Sequence, residues 1–263
     1  MFTNKVFEFV ECPKNKHLIK SKWVFDKKYN EKGEISRYKA RLCAKGFTQV
    51  PGIDYHLTYS PTVDRATINV SLTYCLKNKL LVKQFDVETA FLQAPLQETI
   101  YMEIPASFSQ RYPKNTAIHL LRAIYGLKQS SKAFNEKFTS VMIKLGRSQL
   151  KSDLCLFQRN SEILAAFVDD CIVGVKEESS YKTIIEEISQ HLKIVDLGNI
   201  KHFLKINVDY DLKKQCCKLS QPLFIEDILT NANMLDCKPK YTVLDPHTQL
   251  RKIDNVDCID KPY

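Results

Sequence analysis

A chain of 263 residues with 44% hydrophobic content can bury a core of its own, as one lobed domain or two closely packed ones. No apolar run reaches the roughly 18 residues of a membrane span and no basic-then-apolar leader opens the chain, so neither a membrane-spanning nor a secreted protein is expected, and an intracellular one is. The 39 Lys and Arg against 30 Asp and Glu leave a net charge of +9, which favours polyanionic partners if it gathers on one surface.

In chain order, residues 22–29 and 34–45 read as two strands joined through Asn30-Glu31-Lys32-Gly33, a turn sequence ending in glycine. Period-2 alternation along the second strand puts Tyr38, Ala40, Leu42 and Ala44 on one face and Arg37, Lys39, Arg41 and Lys45 on the other. Four cations without an acid make a surface suited to phosphates. Residues 46–61 read as a loop, and 62–79 as a largely buried helix with Thr62 as its N-cap. Residues 80–87 form the next strand, with Asp86 at its end, a position that an acid also takes as a helix N-cap. Three prolines, Pro95, Pro105 and Pro113, break any long helix between 95 and 128, and that segment is expected to be irregular.

Helical spacing returns at Ala133, Phe134, Lys137, Phe138, Val141, Met142 and Leu145, with Gly146 as the C′ residue. Two short apolar runs, 163–168 and 171–175, are then joined by Asp169-Asp170, which predicts a β-hairpin with the two acids at its turn. Adjacent carboxylates are a poor choice for a turn chosen for stability alone. Like charges about 4 Å apart repel by roughly 4 kcal/mol at an effective dielectric near 20, so a cation is expected beside them, with Mg²⁺ the simplest candidate. A second amphipathic helix follows over 179–193, then a hairpin of 203–210 with 216–219, then a helix capped by Ser220 with Pro222 in its first turn. Periodicity ends at Pro239, where a poorly packed tail is expected. The nine cysteines and six histidines are dispersed without a CxxC pair, so neither a disulfide framework nor a zinc site is expected. Helices alternate irregularly with hairpins, which argues an α+β fold.

These residues carry a family resemblance. The chain resembles the reverse transcriptase domain of copia-type LTR retrotransposons. The matching blocks include Lys22-Trp23-Val24-Phe25, Arg37-Tyr38-Lys39-Ala40-Arg41-Leu42, Ala44-Lys45-Gly46-Phe47-Thr48-Gln49, Phe85-Asp86-Val87, Ala90-Phe91-Leu92, Tyr125-Gly126-Leu127-Lys128-Gln129, Lys151-Ser152-Asp153, Val168-Asp169-Asp170, Phe203-Leu204 and Asp236-Cys237-Lys238-Pro239. The resemblance implies a right-hand polymerase of fingers, palm and partial thumb, with an antiparallel palm sheet backed by helices. Residues 1–237 would be the reverse transcriptase domain, with fingers and palm over about 15–200 and the thumb beginning over about 201–237. Residues 238–263 would be a tail toward a connection and ribonuclease H region.

It further implies RNA- or DNA-templated addition of deoxynucleoside triphosphates to a DNA primer. Two Mg²⁺ ions, or Mn²⁺ in their place, would be held by Asp86, Val87, Asp169 and Asp170, the three acids being catalytic. Lys39, Arg41, Phe91, Tyr125, Gly126 and Lys128 would bind the nucleotide, with Phe91 against the sugar's 2′ position. Phe167, Val168, Phe203 and Leu204 would contact nucleic acid. No membrane partner is implied, and the location would be cytoplasmic, in a virus-like particle, or nuclear. The chain departs from the family's usual residues at Phe167 for Tyr, Gln93-Ala94 for Asn-Gly, Ser131 for Pro and Lys205 for Gly. A nucleic-acid-binding remnant without catalysis therefore stands as the alternative.

Overall fold

A computed structural model describes residues 5–29, 34–239 and 241. The expected turn at Asn30-Glu31-Lys32-Gly33 and the tail beyond 241 lie outside the described residues. In chain order the elements are β1 (Phe7–Glu11), β2 (Leu18–Ile19), β3 (Ser21–Tyr29), β4 (Ile35–Ala44), α1 (Arg65–Lys77), β5 (Leu81–Val87), β6 (Pro95–Glu103), β7 (Thr116–Arg122), α2 (Ser130–Lys144), β8 (Ser148–Gln149), β9 (Leu156–Arg159), β10 (Glu162–Phe167), β11 (Asp170–Val175), α3 (Glu178–Ser189), β12 (Ile194–Asn199), β13 (His202–Phe203), β14 (Ile206–Asp211), β15 (Cys216–Ser220) and α4 (Pro222–Asn231).

The central sheet runs β12-β5-β11-β10-β9-β8, antiparallel throughout. Its apolar strands are buried on both faces. One face, with Phe85, Val87, Leu164, Cys171 and Val173, packs on Phe134, Phe138 and Met142 of α2 and on Tyr181, Ile184 and Ile188 of α3. The other, with Val82, Ala165 and Ile172, meets Ile68 and Leu72 of α1 and Phe203, Ile206 and Val208 of the small sheet β13-β14-β15. A third core lies in the sheet β1-β7-β6-β2, where Ile100, Met102, Ile118 and Leu120 pack with Leu42 and Ala44 at the foot of the β3–β4 hairpin. No helix among the described residues is long and apolar enough to cross a membrane.

Several expectations are corrected. Helix α1 begins at Arg65, not Thr62: the Asp64 carboxylate accepts the Ala66 N–H at 2.8 Å, and Asp serves this role at least as well as Thr. The stretch expected to be irregular holds β6 and β7. Its prolines fall where strands admit them, Pro95 opening β6 and the other two in the connection. Strand β12 was not anticipated. The strand expected over 203–210 is interrupted by a turn at Leu204-Lys205, with φ of 50° and 64°, so Phe203 and Ile206 pair across it. Ser220 ends β15, and α4 starts after Gln221 without a side-chain cap. The apolar face of β4 is buried only at Leu42 and Ala44, since the hairpin projects and leaves Tyr38 72% exposed.

One other expectation matches. Gly146, at φ 75°, follows the last residues of α2 as the C′ glycine, and its N–H reaches the Ile143 carbonyl at 2.9 Å. The cysteines among the described residues are free, and burial pushes the Cys75 and Cys155 thiols up to about 12.

Candidate active site

The site is assembled by strand register. Phe167 pairs with Asp170 and closes the β10–β11 hairpin, so the two turn residues are Val168 and Asp169 rather than the two acids. Val168 adopts φ 55°, a conformation that strains a β-branched residue and is found at functional turns. Across the neighbouring pair, Asp170 stands opposite Asp86 at the end of β5. The Val87 N–H donates to the Asp169 carbonyl at 2.8 Å and ties the turn to the strand end. Three acids, two from the hairpin and one distant in sequence, thus share one corner of the sheet.

Their electrostatics record that proximity. Burial, then the charges of Asp169 and Asp170, push the Asp86 carboxyl from its ordinary 3.8 up to about 6, against a lowering by Lys39. Burial also raises Asp170, and the hydrogen bond from Gln84 opposes that rise. Among the described residues, no three His, Cys, Asp or Glu side chains enclose a cation by themselves.

Above the acids opens a cleft of about 740 Å³, lined by Asp86 and Asp169 on its floor and by Arg37, Lys39, Arg41 and Tyr125 on one wall. Lys39 and Arg41 are half-buried there. The Arg41 guanidinium lies 5.3 Å from the Tyr125 ring centroid and 4.0 Å from the Asp26 carboxylate, and its Nε is buried with no hydrogen-bond partner. Such a donor suits an anionic oxygen. The Tyr125 ring in turn meets Phe91 edge-on at 4.9 Å, and Phe91 meets Phe134 at 6.4 Å, so the wall rests on the core.

A glycine makes this wall possible. The Tyr125 carbonyl accepts the Ala44 N–H at 2.8 Å, bringing the 125–127 segment against the foot of β4. Gly126 adopts φ 90°, and a Cβ there would stand 2.1 Å from the Ala44 carbonyl oxygen. Only glycine satisfies both the conformation and the approach.

Comparison with known proteins bears on what this corner is. The model of the reverse transcriptase (RNA-dependent DNA polymerase) family matches residues 4–246. The chain belongs to the reverse transcriptase family. It is 36% identical over 254 residues to the retrovirus-related Pol polyprotein from transposon TNT 1-94 of Nicotiana tabacum, an alignment covering 95% of this chain and 19% of that polyprotein. To the Pol polyprotein from transposon RE1 of Arabidopsis thaliana it is 32% identical over 242 residues, 90% of this chain and 16% of that protein. The yeast Ty1-DR4 Gag-Pol polyprotein, from Saccharomyces cerevisiae, is 28% identical over 228 residues, 79% of this chain and 14% of the relative. The chain thus spans a fifth or less of these relatives' length. The copia-type resemblance read from the motifs holds.

Within this reverse transcriptase domain the expected site residues divide. Asp86, Asp169, Lys39, Arg41 and Tyr125 line one cleft, while Asp170 lies beside it, bonded to Gln84 with the Leu204 backbone N–H nearby. Gly126 acts through the backbone. Phe91 backs Tyr125 and is not among the residues lining the cleft. Lys128 is turned elsewhere, its ammonium 5.4 Å from the Tyr55 ring centroid and its N–H on Gln49 Oε1 at 2.8 Å. Val87 is fully buried. Phe203 is 1% exposed and belongs to the core, which corrects its expected contact with nucleic acid; Phe167 and Leu204 pack half-buried against the same cluster, and Val168 against the opposite one.

Sequence reading missed Gln84 and the far wall of the cleft, where Trp23, Phe108, Arg111 and Tyr112 gather. For Gln84 a signal existed: two residues before Asp86 on a strand, it must share that residue's face. For the wall there was none, because Trp23 meets Phe108 only through packing of the hairpin on the β6–β7 connection.

Proposed function

We propose that this domain is a templated DNA polymerase, copying RNA or DNA by adding deoxynucleotides to a primer 3′-hydroxyl. The observation that carries this reading is the shared corner of Asp86, Asp169 and Asp170 beneath a cleft walled by Lys39 and Arg41. In a right-hand description the central sheet with α2 and α3 is the palm. The β3–β4 hairpin and strands β2, β6 and β7 are the fingers, together with the palm covering about 15–200. The sheet β13-β14-β15 and α4 begin the thumb over about 201–237, and 238–263 lead onward.

The donor set fits a hard divalent cation: burial, then the repulsion of Asp169 and Asp170, holds Asp86 near 6, and both are relieved by positive charge. Asp86, Asp169 and Asp170, with the Val87 carbonyl, would hold two Mg²⁺ ions, or Mn²⁺. Bound there, the ions supply a lowered pKa for the primer hydroxyl and compensation of charge on the attacking and leaving oxygens. Arg41 and Lys39 grip the triphosphate, Arg41 by its fork and Lys39 as a point charge. Tyr125 offers its ring to the nucleotide, held in place by Phe91 behind it and by Gly126 below.

The test is primer extension on homopolymer RNA and DNA templates with and without Mg²⁺. Extension should require Mg²⁺ and be lost in Asp169→Asn; extension that persists in Asp169→Asn refutes the assignment. A second reading, a nucleic-acid-binding remnant, draws on the basic and aromatic cleft, which would hold a polyanion whether or not chemistry follows. It calls for salt-sensitive primer–template binding without incorporation.

A further inference from the structure

Asp170 shares its face of the sheet with Asp86, yet its carboxylate is engaged away from the cleft. Its Oδ1 accepts Gln84 Nε2 at 2.8 Å, and the Leu204 backbone N–H lies near enough to favour the charged carboxylate. Gln84 is 6% exposed, and the aliphatic residues on this face, Val82 and Ile172, give an amide no apolar reason to be there. A leucine of similar size would fill the space without requiring a partner. The strand that carries Gln84 is itself anchored, since its carbonyl accepts the Tyr181 hydroxyl at 3.0 Å and that hydroxyl also bonds Asp196. The Leu204 amide comes from the turn Leu204-Lys205, where both residues have positive φ, a geometry usually left to Asn and Gly. Two unfavourable local choices, a buried amide and a left-handed Leu-Lys turn, thus converge on one carboxylate.

We propose that Gln84 is a positioning residue of the polymerase site: with the Leu204 amide it clamps the Asp170 carboxylate at a set place beside Asp86 and Asp169. The three acids then present a pre-arranged oxygen set to incoming cations instead of one assembled against its own repulsion. This rests on the polymerase reading above. Carboxylates that hold metals are themselves hydrogen-bonded, and losing such a partner lowers metal affinity or activity about 10–100-fold.

The experiment compares wild type, Gln84→Leu and Gln84→Asn. It measures Mn²⁺ binding by electron paramagnetic resonance, extension rate against Mg²⁺ concentration, and folding by circular dichroism. Leucine keeps the volume and loses the donor; asparagine keeps the donor but falls one methylene short. Positioning predicts that both variants fold, that both need about 10–100-fold more cation for half-saturation, and that high Mg²⁺ recovers most of kcat. A packing role would leave Gln84→Leu like wild type in cation binding, and that result overturns the proposal. If wild type neither binds Mn²⁺ nor extends a primer, the polymerase reading fails and the clamp with it. If wild type does both and Gln84→Leu matches it, the clamp alone fails.

Discussion

Replacing Gly126 by alanine tests how the cleft wall is built. The new Cβ would lie 2.1 Å from the Ala44 carbonyl oxygen, at a residue whose φ is 90°. The left-handed conformation alone costs an L residue about 1–2 kcal/mol. Forcing backbone apart in a packed region adds about 1–3 kcal/mol. Gly52 supplies the control, since its φ is 78° but nothing lies within 4 Å of an added Cβ. Gly52→Ala should therefore lose only the conformational part, about 1–2 kcal/mol. Gly126→Ala should lose about 2–5 kcal/mol, a fall of roughly 4–20 °C at about 2–4 °C per kcal/mol for chains near this size. Differential scanning calorimetry reads both. The close approach also predicts a functional difference: shifting the foot of β4 moves Arg41 against Tyr125, so KM for the nucleotide should rise in Gly126→Ala and not in Gly52→Ala. Equal losses of stability in the two variants would refute the contact with Ala44 as the reason for glycine.

Further predictions follow from the charges. Asp86 binds its proton more tightly folded, near 6, than at its ordinary 3.8, so its contribution favours the fold below about 3.8 and is lost as pH rises through about 6. In chelator, Tm of wild type should fall across that window more than Tm of Asp86→Asn, and Mg²⁺ should reduce the difference. Arg41→Lys keeps the charge but not the fork, so nucleotide KM should rise more than kcat falls in steady-state extension. The Arg147 side chain is fully buried against Glu162 at 3.0 Å. Arg147→Ala should cost less in denaturant unfolding than the about 3–5 kcal/mol of a wholly stranded buried charge, because Arg159 still faces Glu162 at 3.5 Å, and removing both charges in Arg147→Met with Glu162→Leu should recover most of it.

Much of this molecule was legible in its residues. The basic strand, the two apolar runs around Asp169-Asp170, the strand ending at Asp86 and the glycine closing α2 are all local patterns, and all appear as elements of the fold. The failures share a cause. Strands β6 and β7 were hidden because prolines at strand ends look, in sequence, like prolines that break structure. The turn at Leu204-Lys205 was hidden because neither residue favours positive φ; tertiary contacts, including that of the Leu204 N–H with Asp170, accompany it instead. Phe203 carries no mark that separates a core phenylalanine from a ring offered to nucleic acid.

What the sequence determined by itself was which chemistry is on hand: three acids on strand ends and a turn, cations alternating along a strand, and the family those motifs belong to. What tertiary structure alone decided was the division among them. Register sets Asp170 opposite Asp86, the hairpin turn turns Asp169 into the cleft, and Asp170 meets Gln84 at 2.8 Å. Periodicity reports which face of its own strand a residue takes, because that follows from backbone geometry one residue at a time. Which partner waits on that face depends on how separate strands align, and pairing between strands is settled by the whole core at once.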